Sequence, residues 1–262
     1  MDFLGDVAAW FTTATNWWGP GGILNRVYEH VQISVFTMVV ALGAALPPAV
    51  ALGHRRRGGA WVITAVNIGR AIPSFGILAL ALPFTIELAR GIDVFGWTFS
   101  PISSGLGFWP TFIALVALAV PPVFTNGFTG VREVDADIVE AARGMGLTEV
   151  QILWRIEVPV AMPVVLAAVR VASVQVVATA TLGALVAWGG LGRFIIDGFA
   201  QQDGVQVFAG ALLVAALAVA TEALFVAADR LLVPRGIRAG RAPVPAGREP
   251  RTPEPGVVPG AP

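Results

Sequence analysis

Long apolar runs broken by short polar punctuation organise this chain. Val31 to Gly53 carries no charged side chain and is bracketed by His30 and His54. Gly58 to Ile86 is interrupted only by Arg70, and Phe108 to Val131 is uncharged throughout. Val158 to Gly192 carries only Arg170, and Gly204 to Thr221 is uncharged, with the apolar pattern continuing to Val233. A hydrocarbon layer of roughly 30 Å takes about 20 helical residues to cross. The pattern therefore predicts five spanning helices, near 31–53, 60–86, 108–129, 160–184 and 205–232. Prolines at Pro47–Pro48, Pro73 and Pro121–Pro122 predict bends or local breaks.

One polar, charge-dense segment interrupts these runs, Glu140 to Pro159. Its punctuation predicts a short helix, a turn and a second short helix. Asp137 is placed to cap the first, with Glu140 three residues on to reach back to the cap. Gly146 supplies the left-handed backbone that ends such a helix cheaply. Thr148 and Gln151 repeat the capping spacing, so a second helix should run toward Glu157 and stop before Pro159. A compact helical knuckle of this kind, about 132–159, suits docking. The plainer alternative is an amphipathic loop lying along the membrane.

Orientation follows from the arginines. Arg55, Arg56 and Arg57 follow the first run, Arg132, Arg143 and Arg155 lie around the knuckle, and Arg230, Arg235, Arg238 and Arg241 follow the last. With an odd number of spans these clusters share one side, the cytoplasm. The amino terminus is then outside, and the carboxyl terminus and the knuckle are inside.

Composition narrows the class further. Of 262 residues, 56% are hydrophobic and 13% charged, about half the usual charged share of a soluble domain, and mean hydropathy is +0.75. The expected class is an all-α integral membrane protein. The absence of Cys excludes disulfides, thiolate metal sites and cysteine nucleophiles. Every basic residue is Arg, so no phosphate-binding loop with its obligatory Lys can form, and this chain is not an ATPase; the expectation is a membrane transport subunit rather than an enzyme. A net charge of zero argues against nucleic acid as a partner. No metal-ligand cluster stands out.

The ends differ from the middle. Residues 1–30 lack the basic start and cleavage site of a secretory signal, and Trp10, Phe11, Trp17 and Trp18 suggest a segment at the outer interface. Residues 31–233 hold the spans. From 234 to 262 the chain turns to Pro, Gly, Ala and Arg, the composition of a disordered cytoplasmic tail whose arginines can meet anionic lipid.

Glu140-Ala141-Ala142, Gly146, Ile156, Val158 and Pro159 resemble, at each position and spacing, the EAA loop of permeases of ATP-binding-cassette importers, with Val158 where Leu is commoner. Four stretches resemble the osmoprotectant subgroup, which handles glycine betaine, carnitine and choline. They are Glu29 to Ser34, Ala71 to Ser74, Val131 to Gly146, and Thr179 to Ala184 with Gly189 to Gly192. The resemblance covers about residues 25–230. It implies a methionine-importer-like permease fold in a bacterial cell membrane. The implied partners are a cytoplasmic ATPase dimer that binds the ATP and Mg, a second permease (identical or paralogous) and an extracytoplasmic substrate-binding protein. It also implies that Glu140, Ala141, Ala142, Arg143, Gly146, Ile156 and Pro159 belong to the ATPase-coupling loop. Arg70 departs from the uncharged polar residue expected there.

Three placements stay open. Val158 to Gly192 is too long for one crossing, and Gly189, Gly190 and Gly192 read either as a plain turn or as part of a re-entrant, gate-lining piece. Phe75, Arg70, Trp109, Phe112 and Phe124 are candidates for the solute path, although most aromatics in spans simply pack. Arg170 and Glu222 either form an internal ion pair or snorkel to an interface. Competing functions are the same architecture with another small solute, such as an amino acid, and an ion-driven carrier. The carrier is disfavoured because inverted repeats need paired halves.

Overall fold

The computed structural model describes residues 3–56, 72–94 and 97–232, together with Trp61, Ile63, Thr64 and Ile68. The described residues are helical apart from one short hairpin and the connecting turns. Helix α1 (Phe3–Thr12) and a 3-10 turn (Ala14–Asn16) lead into α2 (Ile23–His54). α3 (Ser74–Arg90) is followed by β1 (Ile92–Val94) and β2 (Trp97–Phe99), an antiparallel pair. Then come α4 (Phe108–Arg132), α5 (Ala136–Gly144), α6 (Glu149–Ile152), a π-helical turn (Leu153–Glu157) and α7 (Val158–Thr179). A 3-10 stretch (Ala180–Val186), α8 (Gly192–Gln201) and α9 (Gly204–Leu232) complete the chain.

Among the described residues, four helices are long and apolar enough to cross a membrane: α2, α4, the continuous run from Glu149 to Val186, and α9. The expected second span is represented by α3, which begins only after Pro73 and runs to Arg90 rather than to 86. Most of the 57–71 stretch before it, including Arg70, lies outside the described residues. α2 begins at Ile23, not 31, so residues expected in the outer lead belong to the first long helix.

The prolines do not break the helices that contain them. Pro47–Pro48, Pro83, Pro121–Pro122 and Pro163 all lie inside continuous helix. Pro73 instead sits at a helix start, where its missing N–H costs nothing. Bilayer helices tolerate interior proline when neighbouring helices pack tightly around it.

The central core is made by α2, α4 and α7. Ile33, Ala41 and Ala45 meet Leu115, Ala119, Val123, Ala172 and Val176, all buried. Alanines at these contacts let helix backbones approach closely, which drives packing where lipid supplies no hydrophobic contrast. Gly53 and Gly127 serve the same end, since a Cβ on either would press on the facing helix. On a second cluster, Trp10, Phe11 and Trp17 of the amino-terminal lead pack against Ile23, Leu191 and Phe194. α9 presents apolar side chains all round and buries few of them, leaving about half exposed, as suits a helix facing lipid or another subunit.

Candidate functional site: a helical knuckle tied to the first long helix

Asp135, not Asp137, caps α5, accepting a hydrogen bond from the Asp137 backbone N–H at 2.9 Å. Val134 before the cap and Val139 in the first turn share one buried cluster, so a hydrophobic staple fixes the helix start two residues early. α5 ends through Gly146, whose φ of +83° no β-branched residue adopts readily. Thr148 and Gln151 form a reciprocal capping box at the start of α6.

The second helix does not stop before Pro159. Instead α6 passes through the π-helical turn into α7, and Pro159 falls in the first turn of α7. Proline lacks the N–H that would bond the carbonyl four residues back, and a widened turn relieves the resulting crowding. The second half of the knuckle and α7 are therefore one continuous rod.

Burial separates the knuckle residues into two sets. Ala142 and Ile152 are 0% exposed and pack inside with Val134 and Val139, backed by Leu147 and Ile156. They hold the two short helices together and are not part of the exposed surface. Glu140, Ala141, Arg143, Gly146 and Pro159 are exposed, and Met145 and Trp154 are exposed by 73% and 63%. Arg143 grips Glu149 through two nitrogens, Nε to Oε1 at 2.7 Å and Nη2 to Oε2 at 3.0 Å. That carboxylate raises the already high pKa of the Arg143 guanidinium, which stays charged at any working pH.

The knuckle is also tied to the end of α2. His54 Nδ1 lies 2.6 Å from Glu157 Oε2, and His54 Nε2 lies 3.4 Å from Glu149 Oε2. Arg56 donates to the Val134 carbonyl at 2.8 Å. A surface cavity of about 610 Å³ opens beside this junction, lined by His54, Arg55, Arg143, Glu149, Val150 and Leu153. Neither His54 nor Glu157 was among the residues singled out from sequence for the knuckle. Its legible signal was a buried-position Glu at a helix junction and a His ending a long apolar run.

At the other end, the glycine-rich turn is built against the start of α2. The Glu29 carboxylate accepts from the Gly190 N–H at 2.7 Å. His30 Nδ1 accepts from the Leu191 N–H at 3.2 Å, so its Nε2 carries the proton and donates to the Val177 carbonyl at 2.8 Å. Gly190 has φ +78°, and a Cβ on Gly189 or Gly192 would strike Glu29 or the Thr181 backbone. The excess length after α7 is thus a 3-10 stretch and a clasped turn rather than more α-helix. Trp188, beside the turn, meets Phe108, which stacks on Phe112 and neighbours Trp109. Phe36 joins the same ring cluster, whereas Phe75 does not and is 58% exposed in the first turn of α3. Arg170 and Glu222, both in long apolar helices, pair with each other between α7 and α9.

Residues 36–235 match the model of one protein family, the binding-protein-dependent transport system inner membrane component. The chain belongs to that family. This permease is 29% identical to the choline transport system permease protein OpuBB of Bacillus subtilis (strain 168), over 83% of its own length and 92% of the relative's. It is 31% identical to the carnitine transport permease protein OpuCB of Listeria monocytogenes, over 84% and 92% of the two chains. A third relative is the osmoprotectant import permease protein OsmW of Salmonella typhimurium (strain LT2), 26% identical over 83% and 95%. Its fold matches a chain of the MetNI methionine ABC transporter, solved in inward-facing conformations, with a TM-score of 0.65. That match covers 82% of this permease and 94% of that chain at 21% identity. The permease is a multi-pass membrane transport subunit.

Proposed function

We propose that this permease is the transmembrane subunit of an ATP-binding-cassette importer for quaternary-ammonium osmoprotectants, the glycine betaine, carnitine, choline and proline betaine class. The observation that carries the proposal is the alignment with permeases named for choline and carnitine over nine-tenths of their length. An external binding protein delivers the solute, and a second permease, identical or paralogous, completes the pathway. A cytoplasmic ATPase dimer binds ATP and Mg, and this chain carries no cofactor.

In this scheme the knuckle faces the cytoplasm, with the amino terminus outside. Its exposed surface, from Glu140, Ala141 and Arg143 through Met145 and Gly146 to Trp154, seats in a cleft of the ATPase. Met145 and Trp154 supply apolar contact, and the charges around them set register. Ala142 and Ile156 act from inside, keeping the two short helices one body. Pro159 begins the rod that carries the motion onward. The turn Gly189–Gly192, with its ring cluster, stands where the outer end of the path can open and close. Phe75 and Arg70 remain proposed for the path on the strength of sequence alone.

The test is uptake by the permease co-produced with its ATPase and binding protein in cells lacking other osmolyte importers. Radiolabelled glycine betaine or choline should accumulate only with hydrolysable ATP, and excess methionine should not compete. Accumulation that persists without hydrolysis, or that methionine abolishes, overturns the assignment.

A further inference from the structure

The last turn of α2 holds the knuckle more firmly than a passing contact would. Glu157 is 2% exposed, and among the described residues its carboxylate has one hydrogen-bond partner, His54 Nδ1 at 2.6 Å. A carboxylate only accepts, so Nδ1 donates. The opposite ring nitrogen faces Glu149, which Arg143 holds through two further hydrogen bonds. A chain of polar contacts thus runs from the exposed tip of the knuckle, through His54, to a buried carboxylate at the root of α7. Two neighbours stiffen it. Arg56 holds the Val134 carbonyl, and Gly53 lets α2 approach the Phe128 carbonyl and the Val131 side chain where a Cβ would collide.

We propose that His54 is a positioning residue for energy coupling. By bonding Glu157 it makes α2 move with the knuckle, so that a displacement of the docking surface reaches a third long helix besides α4 and α7, which flank the knuckle in the chain. This rests on the knuckle being the ATPase-docking element. The covalent route into α7 survives without His54, because the rod is continuous from Glu149 onward. The route into α2 has no covalent element, since 103 residues separate the partners in sequence. Loss of His54 should leave α2 to lag behind, wasting hydrolysis without preventing assembly.

The experiment uses the complete transporter in proteoliposomes and reads solute imported per ATP hydrolysed, together with the KM for solute. His54→Asn sets an amide nitrogen where Nδ1 stood and keeps the bond to Glu157. His54→Gln sets it where Nε2 stood and loses that bond. His54→Asn should stay within about twofold of wild type, while His54→Gln and His54→Ala should lower solute per ATP by roughly fivefold or more with KM unchanged. A ring that merely fills space would make Asn and Gln behave alike, and equal ratios for the two overturn the proposal. Should either losing variant fail to assemble, Glu157→Gln keeps the shape and weakens the bond. It should lower the same ratio, and an unchanged ratio overturns the proposal. Gly146→Val serves as the control for docking itself. If it uncouples while every position-54 variant matches wild type, the α2 joint is wrong and the docking assignment stands. Wild-type uptake that ignores ATP overturns both.

Discussion

The Glu29 carboxylate and the Gly190 backbone N–H are 2.7 Å apart, joining the start of the first long helix to a turn 161 positions away. The bond is charge-assisted and Glu29 is about a quarter exposed, so Glu29→Ala should cost about 1.5 kcal/mol, the low end for such bonds. Gly190→Ala should cost about 1 kcal/mol or more through its left-handed backbone alone. Thermal unfolding of the purified permease checks both, and the losses should not add fully because the residues share one contact.

At Gly146 space and backbone make opposite demands. Nothing lies within 4 Å of a Cβ placed there, but φ is +83°. Gly146→Asn should therefore retain coupling, because Asn tolerates this region, while Gly146→Val should uncouple hydrolysis from uptake with insertion intact. Uptake at wild-type rate in the Val variant would count heavily against docking through the knuckle.

Thr148→Ala removes one half of the capping box. Loss of an N-cap costs about 1 kcal/mol, and α6 is only four residues long. Hydrogen exchange should rise locally across Glu149–Ile152 and leave the α2–α4–α7 core unchanged.

Arg170 and Glu222 compensate each other between two apolar helices. Arg170→Met should lower the yield of folded membrane protein by leaving Glu222 without its cation among apolar surfaces, and Glu222→Leu should lower it less, since Asp229 also attracts Arg170. The swap Arg170→Glu with Glu222→Arg should recover much of the loss. Size-exclusion profiles of the three variants decide the matter, and a swap no better than either single change would show that the pairing is not what counts.

The long helices were legible because their residues need only be apolar for long enough, which local composition records. The left-handed Gly146 and the Thr148–Gln151 box were legible for the same reason: each is decided within four residues. The start of α5 was misplaced because Asp135 and Asp137 are both competent caps, and Val134 packing on Val139 decides between them. Pro159 reads as a stop because proline ends helices in isolation. A π-helical turn ahead of it changes that outcome, and nothing in the local pattern announces such a turn. The first helix started early because Glu29 and His30, polar on paper, are satisfied by Gly190, Leu191 and Val177. Contacts such as His54 to Glu157 depend on which helices become neighbours, and periodicity is silent on that.

The unbroken passage from α6 into α7 has a mechanical consequence. α7 alone, at 22 residues, is about 33 Å long at 1.5 Å per residue. A rod that long, swung through about 10° at its knuckle end, sweeps its tip sideways by roughly 6 Å, near the spacing of one helical turn. That tip carries the 3-10 stretch and the glycine clasp. A small lean at one membrane face thus becomes an aperture-sized excursion at the other, with no hinge needed between them.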